Sequence, residues 1–373
     1  MLDNTHKQQC IIFRVDAGAD IGLGHVMRCL ALAQGLHSRN VRAVFAVSQN
    51  SLQHCQNRSD WMGELYVITA SSRYDEHHEL QQLCIKEQAD WLILDGYQFD
   101  SDYRKLLDLN TCKLAMFDDG QLLDAGIKDE HLSMIINWAS GADKLNYNDL
   151  APNAWCCAGD SYRVLRQEFY QVQTLPFNKR NRLILMFGGS DPSQLTLPLL
   201  KLFSESSIRL PITIITGSGY QHTDELEKFI KHSHLSIEHF HDCQQVAEVF
   251  HQGRLAISAA GASQFELLHC ATPSIFVVTA KNQLFASEQA RGQGWCFVSI
   301  KNALQEQPTF EMNAKALLLE QIVQKSMALW HQPELLNQMH SNALSARQQA
   351  GFNRIFTALY SKLPNEPHET NLL

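Results

Sequence analysis

Chemistry-bearing side chains concentrate first between positions 16 and 28, which read Asp16-x-Gly18-x-x-x-Gly22-x-Gly24-His25-x-x-Arg28. A histidine and an arginine behind three glycines suit a site that handles an anion and a proton. Residues 10–15 are apolar and β-branched, which predicts a buried strand before the loop. Val26, Cys29, Leu30, Ala33 and Leu36 then recur at helical spacing. The segment is therefore a strand, a glycine loop and a helix. The glycines let backbone approach a ligand, and the first helical turn offers free N–H groups at the positive end of the helix dipole. In that turn His25 favours its neutral form and can accept a proton. Arg28 shares its face, and Asp16 is a candidate to orient the imidazole. Such a loop also occurs where nothing binds, and a histidine there can serve only as a cap, so the loop alone assigns no function.

Two common nucleotide motifs are absent. A dinucleotide fingerprint needs glycine where Met27 stands and an acid after the next strand, residues 41–47, which is followed by Ser48. No GxxxxGK[ST] run occurs. With 373 residues, two domains are expected. The chain is 45% hydrophobic and 19% charged, with a net charge of −8, which argues against nucleic acid or an anionic membrane as the main partner. No apolar run approaches the ~18 residues of a membrane span. The N-terminal residues lack a signal-peptide core, so a cytoplasmic location is expected. The ten cysteines are scattered without a CxxC pair and are expected to be reduced and mostly buried. His232, His234, His239 and His241 lie near a strand edge without carboxylates at a familiar spacing, so no metal site is expected.

Strands and helices alternate onward. Strand after strand ends in a polar residue: Asp16, Asp95 with Tyr97, Asp118 and Asn137. In an open parallel sheet the ligand crevice lies outside the carboxyl ends of the strands. Each residue alone is more often a turn former or cap, but together they suggest a polar cleft lining. Residues 74–87 predict a helix with His77 and His78 in solvent, and residues 161–170 another helix. Residues 171–181 read as a linker. The pattern then restarts with a strand at 183–187 and the turn Gly188-Gly189-Ser190-Asp191-Pro192. Ser190 or Asp191 is the expected cap and Pro192 the first position of a helix at 194–203. A third small-residue loop, Ala259-Ala260-Gly261-Ala262-Ser263, opens a helix carrying Glu266, which could accept hydrogen bonds from ribose hydroxyls. Lys281-Asn282-Gln283 begins another helix. The residues after about 308 are helical in character.

These motifs, in this order, resemble the UDP-2,4-diacetamido-2,4,6-trideoxy-β-L-altropyranose hydrolase family of pseudaminic acid biosynthesis. The resemblance runs from about residue 11 to 299. It rests on the first glycine loop, Asp95-x-Tyr97, Phe117-Asp118-Asp119, the run from Ser161 to Phe169, Gly188-Gly189-Ser190-Asp191, residues 258–268 and Asn282-Gln283. The sequence departs from the family pattern at Gly96, at Gln194 and in the third loop.

The resemblance implies two Rossmann-like α/β domains of the glycosyltransferase-B type with a cleft between them. The implied layout is an N-terminal domain over residues 1–170, a linker over 171–181, a nucleotide-binding domain over 182–345, and a final helix and tail over 346–373. It implies His25 as the base, with substrate contacts from Asp16, Gly24, Arg28, Tyr97, Asn137, Gly188, Gly189, Ser190, Gln194, Gly261, Ser263, Glu266, Asn282 and Gln283. No cofactor or metal is required. The expected reaction cleaves the anomeric C–O bond with inversion. Water attacks with its proton passing to His25, and UDP leaves, stabilised by helix N-termini. A glycosyltransferase or another UDP-sugar hydrolase of the same fold is the first alternative, and a non-catalytic nucleotide-sugar-binding protein the second.

Overall fold

A computed structural model describes residues 8–18, 21–107, 109–120, 122, 125–206, 209–280, 283–300, 308–347 and 351–360. Seven short segments form one parallel sheet: β1 (Cys10–Val15), β2 (Arg42–Val47), β3 (Glu64–Val67), β4 (Trp91–Asp95), β5 (Lys113–Phe117), β6 (Met134–Asn137) and β7 (Trp155–Ala158). Their order is β3-β2-β1-β4-β5-β6-β7. Six more form a second parallel sheet: β8 (Arg182–Met186), β9 (Ile212–Thr216), β10 (Ile237–His241), β11 (Gly253–Ala259), β12 (Ser274–Val278) and β13 (Cys296–Ile300). Their order is β10-β9-β8-β11-β12-β13. The central strands are apolar along their length because parallel sheets are covered on both faces; every residue of β1 is buried.

The covering helices are α1 (Gly24–His37), α2 (Gln49–Gln56), α3 (Arg73–Lys86), α4 (Ser101–Leu106), α5 (Tyr147–Leu150), α6 (Gln167–Gln171), α7 (Thr196–Glu205), α8 (Thr223–His232), α9 (Val246–Gln252), α10 (Ser263–His269), α11 (Leu284–Gly292), α12 (Pro308–Trp330), α13 (Pro333–Ala346) and α14 (Phe352–Tyr360). In α1 the predicted stripe of Val26, Cys29, Leu30, Ala33 and Leu36 is fully buried. No helix among the described residues is long and apolar enough to cross a membrane.

In each sheet the chain order reverses once, between β1 and β4 and between β8 and β11. Beyond the carboxyl ends of such a strand pair the following helices diverge to opposite faces and leave a crevice. Register brings Val15 opposite Asp95 in the first sheet and Met186 opposite Ser258 in the second. The chain then returns to its start. Ile355, Ala358 and Leu359 of α14 are buried in the core formed by β1 and α1, and Trp91 Nε1 donates to the Leu359 carbonyl at 2.9 Å. Gly35 allows that approach, since a Cβ there would lie 2.3 Å from the Phe352 ring.

Three local expectations are corrected. Residues 161–170 are not one helix. A 3-10 turn at Asp160–Tyr162 gives way to extended backbone, and α6 begins only at Gln167, because Arg163, Val164, Leu165 and Arg166 are all buried by tertiary contacts that override local propensity. His77 is not in solvent; it is buried with its ring 4.3 Å from that of Tyr103. The helix after the second glycine loop starts at Thr196 rather than 194. Asp191 accepts from the N–H groups of Leu195 and Thr196, so Pro192 sits in the turn before the helix.

Candidate functional site

The first crevice is built around His25 and Asp95. β1 ends beside β4, so the first turn of α1 meets the end of β4. There His25 Nδ1 lies 2.6 Å from Asp95 Oδ1. The Asp95 side chain is fully buried and that of His25 nearly so. Arg28 Nε and Nη2 donate to the same carboxylate at 2.6 and 2.5 Å. Burial opposes ionisation of Asp95, but the Arg28 guanidinium and His25 outweigh it and hold the carboxyl below its ordinary value. An ionised carboxylate accepts only, so Nδ1 carries the proton and donates it. Nε2 is then the basic atom, and among the described residues nothing engages it. Tyr97 packs edge-on at 5.2 Å between ring centroids and is half-exposed. Its phenol is pushed up to about 12, by burial first and then by the charge of Asp119.

Asp16 does not orient the imidazole. Its carboxylate accepts from Arg14 Nη1 at 2.7 Å, the Ser48 N–H at 2.7 Å and Ser51 Oγ at 2.9 Å. Burial works against its charge, yet Arg14 and these donors hold its pKa below the usual value. Asp16 leans toward β2 and anchors the loop after it, whereas Asp95 rises from β4 beneath the helix. Arg28 is likewise committed: it bridges Asp95 to Asp119 Oδ1 (2.7 Å) with its guanidinium 4.9 Å over the Phe117 ring. Asn137 is turned inward. It donates to Tyr147 Oη at 2.7 Å, and that hydroxyl donates to Asp118 Oδ2 at 2.7 Å. Asn137 thus supports the floor of the cleft. Gly24, at the start of α1, is exposed with open space where a Cβ would stand.

The second crevice opens between β8 and β11. Gly188 has φ +80° and open space above it. Gly189 packs against the first glycine loop: a Cβ there would lie 2.7 Å from Leu23 Cγ. A Cβ on Gly217 would meet the Gly189 carbonyl at 2.6 Å. Ser190 is largely buried, and Gln194 is exposed with φ +50°. Across the crevice, Gly261 and Ser263 open α10, and the nearest neighbour of a Cβ on Gly261 would be Gln283 Nε2 at 4.0 Å. Gln283 Oε1 accepts from the Thr279 N–H at 2.9 Å, which fixes the side chain. Glu266 Oε1 accepts from Arg166 Nη2 at 3.2 Å. Asn282 lies outside the described residues.

The two crevices face each other. Besides Leu23 against Gly189, His54 Nδ1 and Ser218 Oγ share a 2.7 Å hydrogen bond. Gln244 accepts from the Ser59 N–H at 2.7 Å and donates to the Asn57 carbonyl at 2.9 Å. His25, Arg28 and Tyr97 therefore stand on one wall, and the loops at 188–190 and 261–263 on the other. Asp95 was legible only as one of several polar strand ends. Its partnership with His25 depends on sheet register, which no local pattern carries. Arg166 gave no signal beyond its place in the run from Ser161 to Phe169. Among the described residues no three His, Cys, Asp or Glu side chains converge as a metal site. His239 pairs with Glu227 instead.

No protein-family model matches the chain. It is 27% identical over 278 residues to an uncharacterized protein of Methanocaldococcus jannaschii, covering 72% of this chain and 55% of that protein, so it spans about half the length of that relative. It is 29% identical over 261 residues to the UDP-2,4-diacetamido-2,4,6-trideoxy-β-L-altropyranose hydrolase of Campylobacter jejuni, covering 69% of this chain and 88% of the hydrolase. Among solved structures, MnaA of S. aureus with UDP superposes with a TM-score of 0.64 at 11% identity, over 96% of this chain and all of that one. The spinosyn rhamnosyltransferase SpnG with thymidine diphosphate superposes at 0.61 and 10% identity, over 94% and 99%. Likeness at this identity carries the fold: two Rossmann-like domains around a cleft, the glycosyltransferase-B architecture.

Proposed function

We propose that the chain is an enzyme acting on a UDP-sugar, in which His25 takes the proton from an oxygen nucleophile as that oxygen attacks the anomeric carbon. The observation that carries this reading is the buried Asp95 carboxylate on His25 Nδ1, which leaves Nε2 as a base at the mouth of the first crevice. Opposite it, the glycine loops offer backbone N–H groups suited to a diphosphate. Gly188, Gly189, Ser190 and Gln194 with Gly261, Ser263 and Gln283 would hold the nucleotide. Tyr97 would face the sugar. The leaving group departs into the second domain while the base stands on the first, so attack comes from the opposite face and the configuration inverts. An oxocarbenium-like transition state gains from loss of UDP as an already stable anion.

Two nucleophiles fit this geometry. An alcohol acceptor would make the chain a glycosyltransferase, a reading supported by its architecture and by structural neighbours such as the rhamnosyltransferase. Water would make it a hydrolase, a reading supported by the Campylobacter jejuni relative and by the ordered motifs shared with that family. The deciding experiment offers a panel of UDP-sugars, the diacetamido-trideoxy-altrose derivative among them, with and without alcohol acceptors. UDP release is followed together with the proton NMR spectrum of the sugar. Release that requires an acceptor supports the transferase. Release in water alone, with the inverted anomer appearing first, supports the hydrolase. Intact substrate throughout would sink the proposal.

A further inference from the structure

We infer that Arg166 is a positioning residue that aims Glu266 at the ribose of the bound nucleotide; this rests on the nucleotide reading above. Arg166 belongs to the connection between the two domains, and it is 4% exposed. Its guanidinium forms ion pairs with Glu168 Oε1 at 2.6 Å, Glu266 Oε1 at 3.2 Å and, more distantly, Asp60 Oδ2 at 3.7 Å. Asp60 comes from the first domain and Glu266 from α10, directly behind the small-residue loop of the second.

The neighbours of Arg166 are themselves tied down. Asp60 is gripped by Arg58 through two bonds of 2.8 and 2.9 Å. Glu168 Oε2 accepts from the Ala247 N–H at 3.0 Å, at the start of α9. Gln34, on the helix that carries His25, donates to the Asp60 carbonyl at 2.8 Å and accepts from the Gln167 N–H at 2.7 Å. One arginine thus links the helix of the base to the helix that opens the nucleotide crevice. Arg166 reaches Glu266 through one nitrogen, Nη2, and this charge-assisted bond to Oε1 holds the carboxylate in place. Arg166 engages Oε1 of Glu266, and among the described residues no donor engages Oε2, which stays available to a vicinal diol. The chemical class recognised is a ribonucleoside diphosphate, with the arginine acting through the glutamate.

The test measures calorimetric binding of UDP and 2′-deoxy-UDP to the full chain and to Glu266→Gln, Arg166→Met and Arg166→Lys. The wild-type chain should favour UDP about tenfold, the scale of a hydrogen bond to a charged group. Arg166→Met should lose that preference as Glu266→Gln does, while its affinity for 2′-deoxy-UDP stays the same. Arg166→Lys should keep part of it. Because a buried arginine can be needed for folding, Arg166→Lys decides the matter if the methionine variant does not fold. Full discrimination in Arg166→Lys would then overturn the inference. It is also overturned if Arg166→Met keeps the preference, or if the wild-type chain binds both nucleotides equally, a result that leaves the nucleotide reading standing. Binding of neither would overturn that reading itself and the inference with it.

Discussion

His25 and Asp95 lie 70 residues apart in sequence and 2.6 Å apart in space. The carboxylate fixes which imidazole nitrogen carries the proton, and a charge-assisted bond of this kind is stronger than a neutral one. Asp95→Asn keeps the shape but can present its amide rather than a carboxylate to Nδ1. It also removes one of the two counter-charges of Arg28, leaving Asp119. Turnover of a UDP-sugar should then fall by about 10- to 100-fold, the equivalent of a lost hydrogen bond to a charged group. Steady-state kinetics on the folded variant would check this, and an unchanged kcat would remove Asp95 from the mechanism. His25 could be read from sequence because a glycine loop and a helical stripe bracket it. Its partner could not, because Asp16, Asp95, Asp118 and Asn137 all end strands and only register separates them. Asp16 turned toward Arg14 and Ser51, and Asn137 toward Tyr147.

At the scale of elements, the site is made of strand ends and helix starts rather than of helices or strands themselves. The close approach of Gly189 to Leu23 sets how near the two crevices come. A methyl group at Gly189 would force the walls apart, so Gly189→Ala should lower kcat/KM by roughly ten- to hundredfold through misplacement of sugar against base. Trimming the opposing side chain in Gly189→Ala/Leu23→Ala should recover part of the loss, and an additive further loss would argue against a steric cause. Alternating strands, helices and glycine loops made most elements legible. The segment at 161–170 was not, because its arginines and apolar residues are buried in contacts between distant elements. α7 starts two residues later than the pattern predicts because Asp191 caps it from five residues upstream, through a turn with φ +48°.

Across the whole molecule, two sheets with facing switch points create the cleft, and α14 closes the chain back onto the first sheet. Ile355→Ala in that helix should cost about 2–4 kcal/mol of stability, as for other fully buried aliphatic truncations, read as a shift of the denaturation midpoint. A smaller effect would mean that α14 is only loosely docked. Acid sensitivity also belongs to this scale. Burial, then the charge of Arg180, holds His251 down to about 4, and burial lowers His77, His269 and His340 as well. Each is neutral in the fold and titrates near 6.5 when unfolded. Their stabilising contribution is therefore complete above about 6.5 and falls away as pH drops below that, for His251 until about 4. Thermal unfolding followed across that window should show a falling Tm, with a shallower fall in His251→Gln; parallel curves would contradict the assignment.

The most direct measurement compares the wild-type chain with His25→Ala for UDP release from a saturating UDP-sugar, with UDP binding measured on both. General-base assistance is typically worth ~10²–10⁴-fold. Release slowed by that factor, with UDP bound equally well, is the predicted result. UDP release at the wild-type rate from His25→Ala would contradict the central role given to the His25–Asp95 pair.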